Sequence, residues 1–236
     1  MSALNVVTGA TGQVGLELCR TLAADGGSVR AVVLAGDPAA PRLRGYGVEV
    51  AEGDACDESP LRAAFEGADT VYHLAAIVST SARLDPRMWQ VNVEGPRNAC
   101  RAALAAGVRR LVYFSSIVVF EPAPIHASLD ETRRRLPVTA GSPYVRSKIR
   151  GEQIVREFAE GELLDSDVYV VAFSEENCGW HCLVKSNDGL VATGWHTTDD
   201  MEPPSVAFGR YGEDLVREVF SPAWGGFGTG NAIVWQ

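Results

Sequence analysis

A doubly wound α/β fold on a parallel sheet is predicted for residues 1 to about 160 by three features of the chain. Short apolar runs alternate with stretches of helical period, which is the pattern of β-α-β units. The runs are strongly apolar, as strands covered by helices on both faces must be. The first run passes straight into Thr8-Gly9-Ala10-Thr11-Gly12-Gln13-Val14-Gly15, a glycine-rich turn that opens a helix.

Leu4–Thr8 is the first predicted strand, and Gln13–Ala24, behind the glycine turn, is the first helix. Val29–Leu34 and Val48–Ala51 are apolar runs that read as the second and third strands, followed by a helix over Pro60–Glu66. Thr70–Leu74 is the fourth strand, leading into a long helix over Asp85–Ala106. Arg110–Ser115 is the fifth strand, and Ser142–Ala159 again has helical period. Val168–Phe173 reads as a sixth strand, because Val168, Val170, Val171 and Phe173 suit the covering of a sheet edge that would otherwise stay bare.

The character of the chain then changes. The formal net charge of −9 lies wholly in residues 161–236, where 12 acidic side chains face only Lys185, Arg210 and Arg217. Trp180, Trp195, Trp224 and Trp235 also fall there. Trp180–Lys185 and Leu190–His196 are β-rich runs separated by Ser186-Asn187-Asp188-Gly189, a hairpin signal, since Asn, Asp and Gly tolerate positive φ. Tyr211–Phe220 reads as a short helix, and Trp224 to Gly230 as a glycine-rich loop. The expected division is a dinucleotide-binding domain over residues 1–166 and a small, unrecognised β-rich segment over 167–236.

Several classes are disfavoured. An acidic chain lacks the basic face of a nucleic-acid binder. No run approaches the ~18 apolar residues of a membrane span. No basic leader precedes the first strand, so a cytoplasmic protein is expected. Five cysteines, an odd number mostly in apolar surroundings, fit a reducing compartment. Cys178, His181, Cys182 and His196 invite a zinc reading, but Cys-x-x-x-Cys is the wrong spacing for a zinc ribbon, and no metal is expected.

Gly9, Gly12 and Gly15 stand between a strand and a helix. There Gly9 permits the turn, Gly12 admits a pyrophosphate and Gly15 allows close helix–strand packing, with the helix N-terminus stabilising the anion. Further on, Tyr144 and Lys148 share one helix face four residues apart. A tyrosine is a poor base at neutral pH unless a cation supports its phenolate, and the lysine can supply one.

With Gly53-Asp54, Tyr72-His73-Leu74-Ala75-Ala76, Val91-Asn92-Val93-Glu94-Gly95 and Phe114-Ser115-Ser116 in this order, the chain resembles the extended short-chain dehydrogenase/reductase family. The resemblance covers residues 3 to about 160 and implies a Rossmann-like sheet. His73 to Ser79 and Ser115-Ser116-Ile117 look closer to its dihydroflavonol-reductase and hydroxysteroid-dehydrogenase-like members than to its nucleotide-sugar epimerases. It implies NAD or NADP as cofactor, held by Gly9, Thr11, Gly12, Gln13, Val14, Gly15, Asp54, Ala55, Leu74, Ala75, Ala76, Tyr144 and Lys148, with Asp54 on the adenine amino group. It also implies Ser116, Tyr144, Lys148 and Asn92 as the catalytic set, with Asn92 bracing the backbone. Ser115 is expected to point into the fold, and His73 to be a packed strand-end residue. The choice between NAD and NADP is left open. No acidic residue stands at Leu34 or Ala35, and Arg42 and Arg44 are read as solvated loop residues near enough to meet a 2′-phosphate.

The resemblance implies hydride transfer between nicotinamide and a secondary alcohol or ketone, with a small-molecule substrate as partner and a homodimer left open. Arg133-Arg134-Arg135 could meet an anionic substrate, although such runs are usually solvated. After the sixth strand the family continues with Arg-Pro and a substrate lobe, whereas this chain has Ser174-Glu175-Glu176-Asn177. The alternative expectation is therefore a catalytically impaired dinucleotide-binding sensor or interaction protein.

Overall fold

The structure is a computed structural model that describes residues 3–79, 81–121, 133–160, 167–174, 179–185 and 191–197. Five strands, β1 (Leu4–Thr8), β2 (Ser28–Val33), β3 (Glu49–Glu52), β4 (Ala68–His73) and β5 (Arg110–Phe114), form a parallel sheet. β6 (Asp167–Ser174) adds to β5 in parallel, with Leu111 opposite Val168 and Phe114 opposite Val171. The predicted sixth strand is therefore present. β7 (Gly179–Lys185) and β8 (Val191–Thr197) continue the same sheet antiparallel, pairing Lys185 with Val191 as a hairpin requires. The strand order is β3-β2-β1-β4-β5-β6-β7-β8. The turn at 186–190 and the readings of Tyr211–Phe220 and Trp224 to Gly230 lie outside the described residues.

Alternation along each strand sorts its side chains to two faces. Val7, Ala31, Val33, Tyr72, Val112 and Phe114 pack with Leu18, Cys19, Leu22 and Leu43 from α1 (Gln13–Ala24) and α2 (Ala40–Gly45). Val6, Val32, Val71, Leu111 and Tyr113 pack on the other face with Leu61, Phe65, Ala99, Ala103 and Val155. Those belong to α3 (Glu58–Phe65), α5 (Gly95–Ala106) and α6 (Pro143–Glu160). One apolar run thus feeds two cores, which is why the strands carry little polar alternation.

The predicted long helix at 85–106 is not uniform. Asp85 caps its start by accepting from the Arg87 amide at 2.8 Å, and α4 (Pro86–Trp89) gives way to a π-helical turn over Gln90–Glu94 before α5. Pro96 has no amide hydrogen and cannot serve the Asn92 carbonyl one α-turn back, and the Gly95 amide instead donates to Gln90. α6 lies against this turn at Gly151, where a Cβ would come within 2.4 Å of the Asn92 carbonyl oxygen and 2.8 Å of the Tyr113 hydroxyl. Gly151→Ala is expected to lower stability by about 2 kcal/mol or more, since one contact is backbone and cannot rotate away. A urea midpoint equal to that of the unsubstituted protein would show that the two helices can part without cost.

One element was missed in the sequence. Residues 40–45 form α2, so Arg42 and Arg44 are helical and not loop residues, and the Arg42 guanidinium donates to the Tyr46 hydroxyl at 2.9 Å. Six residues are too few to show a helical period. Among the described residues, no helix is long and apolar enough to cross a membrane.

Candidate active site

The glycine turn takes its shape from two close approaches. Gly9 has φ +66°, and a Cβ on it would lie 2.7 Å from the Ala75 nitrogen. On Gly15 a Cβ would lie 2.3 Å from the Gly9 carbonyl oxygen. Gly12 differs, because its Cβ would meet only that same oxygen, at 3.3 Å. Its open side faces two adjoining cavities of about 470 and 290 Å³ at the C-terminal ends of the strands, where β1 stands between β2 and β4 and the sheet order reverses.

The larger cavity is lined by Gly12 to Gly15 together with Ser115, Ser116, Tyr144 and Lys148. Thr11, Asp37, Asp54, Ala55, Ala75 and Arg87 line the smaller, and Gly9, Gly12, Leu74 and Ala76 line both. All the expected site residues therefore border this space except Asn92. Asn92 is buried in the π-turn, where its side-chain oxygen accepts from the Ile77 amide at 2.8 Å and its nitrogen donates to the Ile77 carbonyl at 2.9 Å and to the Ser147 hydroxyl at 3.0 Å. Ser147 in turn donates to the Tyr144 carbonyl at 2.7 Å. Asn92 thus ties the cavity rim to the backbone of the helix that carries Tyr144. Ser147 was not singled out in the sequence, although it directly precedes the lysine.

The electrostatics depart from the expected tyrosine–lysine couple. The Lys148 ammonium is buried, donates to the Phe114 carbonyl at 2.9 Å and lies 5.2 Å above the Tyr113 ring. Burial pushes its pKa down to about 8 against the opposing pull of Glu152. Burial raises the Tyr144 pKa above the ordinary tyrosine value, and a hydrogen bond from Ser116 partly offsets this. The cation thus sits on the strand-end carbonyl, because a buried ammonium must be satisfied by the nearest acceptor. Burial, with Lys148 nearby, holds the His73 pKa down to about 3, and its Nδ1 shares a 2.8 Å hydrogen bond with the Thr8 hydroxyl. A neutral, packed ring is what the strand-end reading expects.

At the other cavity, burial works against the Asp54 charge, but the Cys56 amide and Arg87 outweigh it and hold the carboxyl below the usual aspartate value. Arg87 meets Asp54 at 2.6 Å. The acidic residue sought at Leu34 or Ala35 comes later. The chain turns after β2 with the Asp37 amide donating to the Leu34 carbonyl at 3.1 Å, and Gly36 takes φ +71°. This brings the Asp37 carboxylate to the Thr11 hydroxyl at 2.8 Å, inside the cavity. Leu34-Ala35-Gly36-Asp37, with glycine at the third position of a turn, was the available signal.

The arginine run is turned to its own fold: Arg133 donates to the Glu121 carbonyl at 3.3 Å, Arg134 meets the Glu121 carboxylate at 3.4 Å and Arg135 meets Glu152 at 2.6 Å. Cys19, Cys56 and Cys100 are free thiols. The side chains of the zinc reading lie outside the described ones.

Comparison with known proteins agrees with this architecture. Residues 5–170 match the family described as NAD dependent epimerase/dehydratase. Sterol demethylase protein B of Methylococcus capsulatus is 39% identical over 150 residues, which are 64% of this chain and 45% of that protein. A 3 beta-hydroxysteroid dehydrogenase/Delta 5-->4-isomerase of Mycobacterium tuberculosis is 37% identical over 160 residues, 64% of this chain and 41% of that one. A crystal structure of a short-chain dehydrogenase/reductase superfamily protein from Agrobacterium tumefaciens with bound NAD superposes with a TM-score of 0.60 at 33% identity, covering 72% of this chain and 49% of that chain. The chain spans less than half the length of each.

Proposed function

Because the chain belongs to the NAD-dependent epimerase/dehydratase family, we propose that it binds NAD across the two joined cavities and acts on a small secondary alcohol or ketone, as an oxidoreductase or epimerase with Tyr144 as acid/base. The observation that carries this is that Gly12 to Gly15 and the set Ser116, Tyr144 and Lys148 line one and the same cavity. The cradle fits a dinucleotide, since Gly12 presents an open surface at the N-terminus of a 12-residue helix where a side chain would otherwise stand. Bound NAD supplies the hydride acceptor or donor.

The chain's own residues do the rest. Gly12 to Gly15 and the helix end hold the pyrophosphate charge. Ser116, already bonded to Tyr144, orients the substrate oxygen, and Tyr144 exchanges its proton with that oxygen. Lys148 lowers the cost of the phenolate once its ammonium turns from the Phe114 carbonyl toward the cavity it lines. Asn92 and Ser147 keep the helix backbone at Tyr144 fixed to the rim.

Asp37 selects the cofactor. A carboxylate there accepts from a ribose hydroxyl and repels a 2′-phosphate. Calorimetric titration with NAD, NADH, NADP and NADPH is expected to show NAD(H) bound more tightly, by about tenfold or more, equivalent to roughly 1.4 kcal/mol. Asp37→Ser should narrow that gap by weakening NAD and admitting NADP. Binding of neither dinucleotide would overturn the proposal, and an unchanged ratio in the variant would remove Asp37 from the choice.

A second reading, a dinucleotide sensor without turnover, is favoured by the placement of the Lys148 ammonium on Phe114 and not on Tyr144. A panel of ketones and alcohols separates the two, since binding without any change in NADH absorbance would support the sensor.

A further inference from the structure

Building on the assignment of Ser116 and Lys148 to the reacting site, we propose that Glu152 is a positioning residue, a buried carboxylate held by Ser115 and Arg135 that orients the Ser115-Ser116 corner and acts on Lys148 one helical turn away. Glu152 stands one turn beyond Lys148 on α6, at the i,i+4 spacing that puts both on one face. Only 3% of its side chain is exposed. One carboxylate oxygen accepts from the Ser115 hydroxyl at 2.5 Å, and the other accepts from the Arg135 guanidinium at 2.6 Å, with Arg156 at 3.8 Å. Packing alone does not call for such a group, because an apolar side chain of similar size often serves stability as well as a buried ion pair or better.

The contacts of this carboxylate point to a task. The segment that leaves β5 through Ser116 returns at residue 133 and pairs with itself, Phe120 opposite Arg135, with the Leu136 amide on the Val119 carbonyl at 2.8 Å. Arg135 lies 4.9 Å over the Phe120 ring and reaches Glu152, so one carboxylate pins both limbs to α6. With the Ser115 hydroxyl drawn to Glu152, the adjacent Ser116 is left on the side of Tyr144, with which it shares a hydrogen bond.

Charge follows the same geometry. Among the described residues, the groups around Glu152 and Lys148 are Arg135 from the returning segment, Arg156 from α6, Tyr113 and His73 from the sheet, and Tyr144 at the cavity. Burial keeps Tyr113 protonated well above the ordinary range and His73 neutral. Among the described residues, Glu152 is therefore the group that opposes the effect of burial on Lys148.

The chain contains only two lysines, Lys148 and Lys185, which makes the test direct. The 236-residue chain labelled with 15N at the lysine ζ position gives two side-chain resonances, assigned by Lys185→Arg. In Glu152→Gln the Lys148 titration midpoint is expected to fall by about one pH unit or more. The alkaline limb of kcat/KM for ketone reduction, which needs the lysine charge, should move down with it while NAD affinity stays unchanged. A folded Glu152→Gln protein whose Lys148 midpoint does not fall would overturn the proposal. Ser115→Ala tests the positioning half separately, with kcat expected to fall about tenfold and the lysine midpoint unmoved; an unchanged kcat would overturn that half, including where Glu152→Gln fails to fold. The lysine titration needs no turnover, so an inactive natural protein would refute the proposed enzyme while leaving this measurement decisive for Glu152.

Discussion

Tyr144→Phe is expected to lower turnover by about 10³-fold or more while leaving NAD affinity nearly intact. The substitution removes one oxygen and keeps the ring, so the packing of α6 against the Asn92 turn should survive. Among the described residues, Tyr144 is the only phenol on the larger cavity, and its hydroxyl is bonded to Ser116, where the substrate oxygen would have to lie to exchange a proton with it. The pyrophosphate is assigned to Gly12 to Gly15 and the N-terminus of α1, not to that hydroxyl. Steady-state NADH turnover and calorimetric NAD binding measured on one preparation separate the two properties. Equal turnover in the variant would remove Tyr144 from the mechanism, and loss of NAD binding would mean that the tyrosine chiefly shapes the pocket.

Gly12→Val and Gly15→Val are expected to fail for different reasons, although the residues are three apart in one motif. A Cβ at Gly12 makes a single contact, at 3.3 Å, and the branches of valine would project into the space assigned to the pyrophosphate. The protein should fold with its thermal midpoint little changed and lose several kcal/mol of NAD binding by steric exclusion, on the order of 10²-fold or more in affinity. At Gly15 the added carbon would stand 2.3 Å from the Gly9 carbonyl oxygen and 2.8 Å from the Ala10 Cα. Both obstacles are backbone at the start of the motif, so α1 would have to leave β1, at a cost of about 3 kcal/mol or more. Circular dichroism melts alongside NAD titrations distinguish these outcomes. Tight NAD binding by Gly12→Val would show that the glycines serve only the turn.

How much of this was legible differs from residue to residue. β1 and α1 have the predicted limits because a β-branched run, a glycine turn and a helical period are each signalled within a few neighbouring residues. The π-turn around Asn92 was less legible: Pro96 is visible in the chain, but whether its missing donor breaks a helix or widens it depends on what packs alongside, here Gly151 of α6. Asp37 escaped notice because its place follows from a turn that carries it past the strand end and back to Thr11.

Local pattern alone therefore determined the alternation of strands and helices, the dinucleotide turn and the i,i+4 spacing of Tyr144 and Lys148, since each is set by the backbone geometry of adjacent residues. Only the tertiary structure decided which acceptor holds the Lys148 ammonium, which carboxylate enters the smaller cavity and what Glu152 touches. Ser115 and Glu152 are 37 positions apart and Thr11 and Asp37 are 26 apart. Such pairs meet only when the sheet brings its strand ends together, and burial then makes their hydrogen bonds obligatory, because a polar group removed from water must find its partner within the fold.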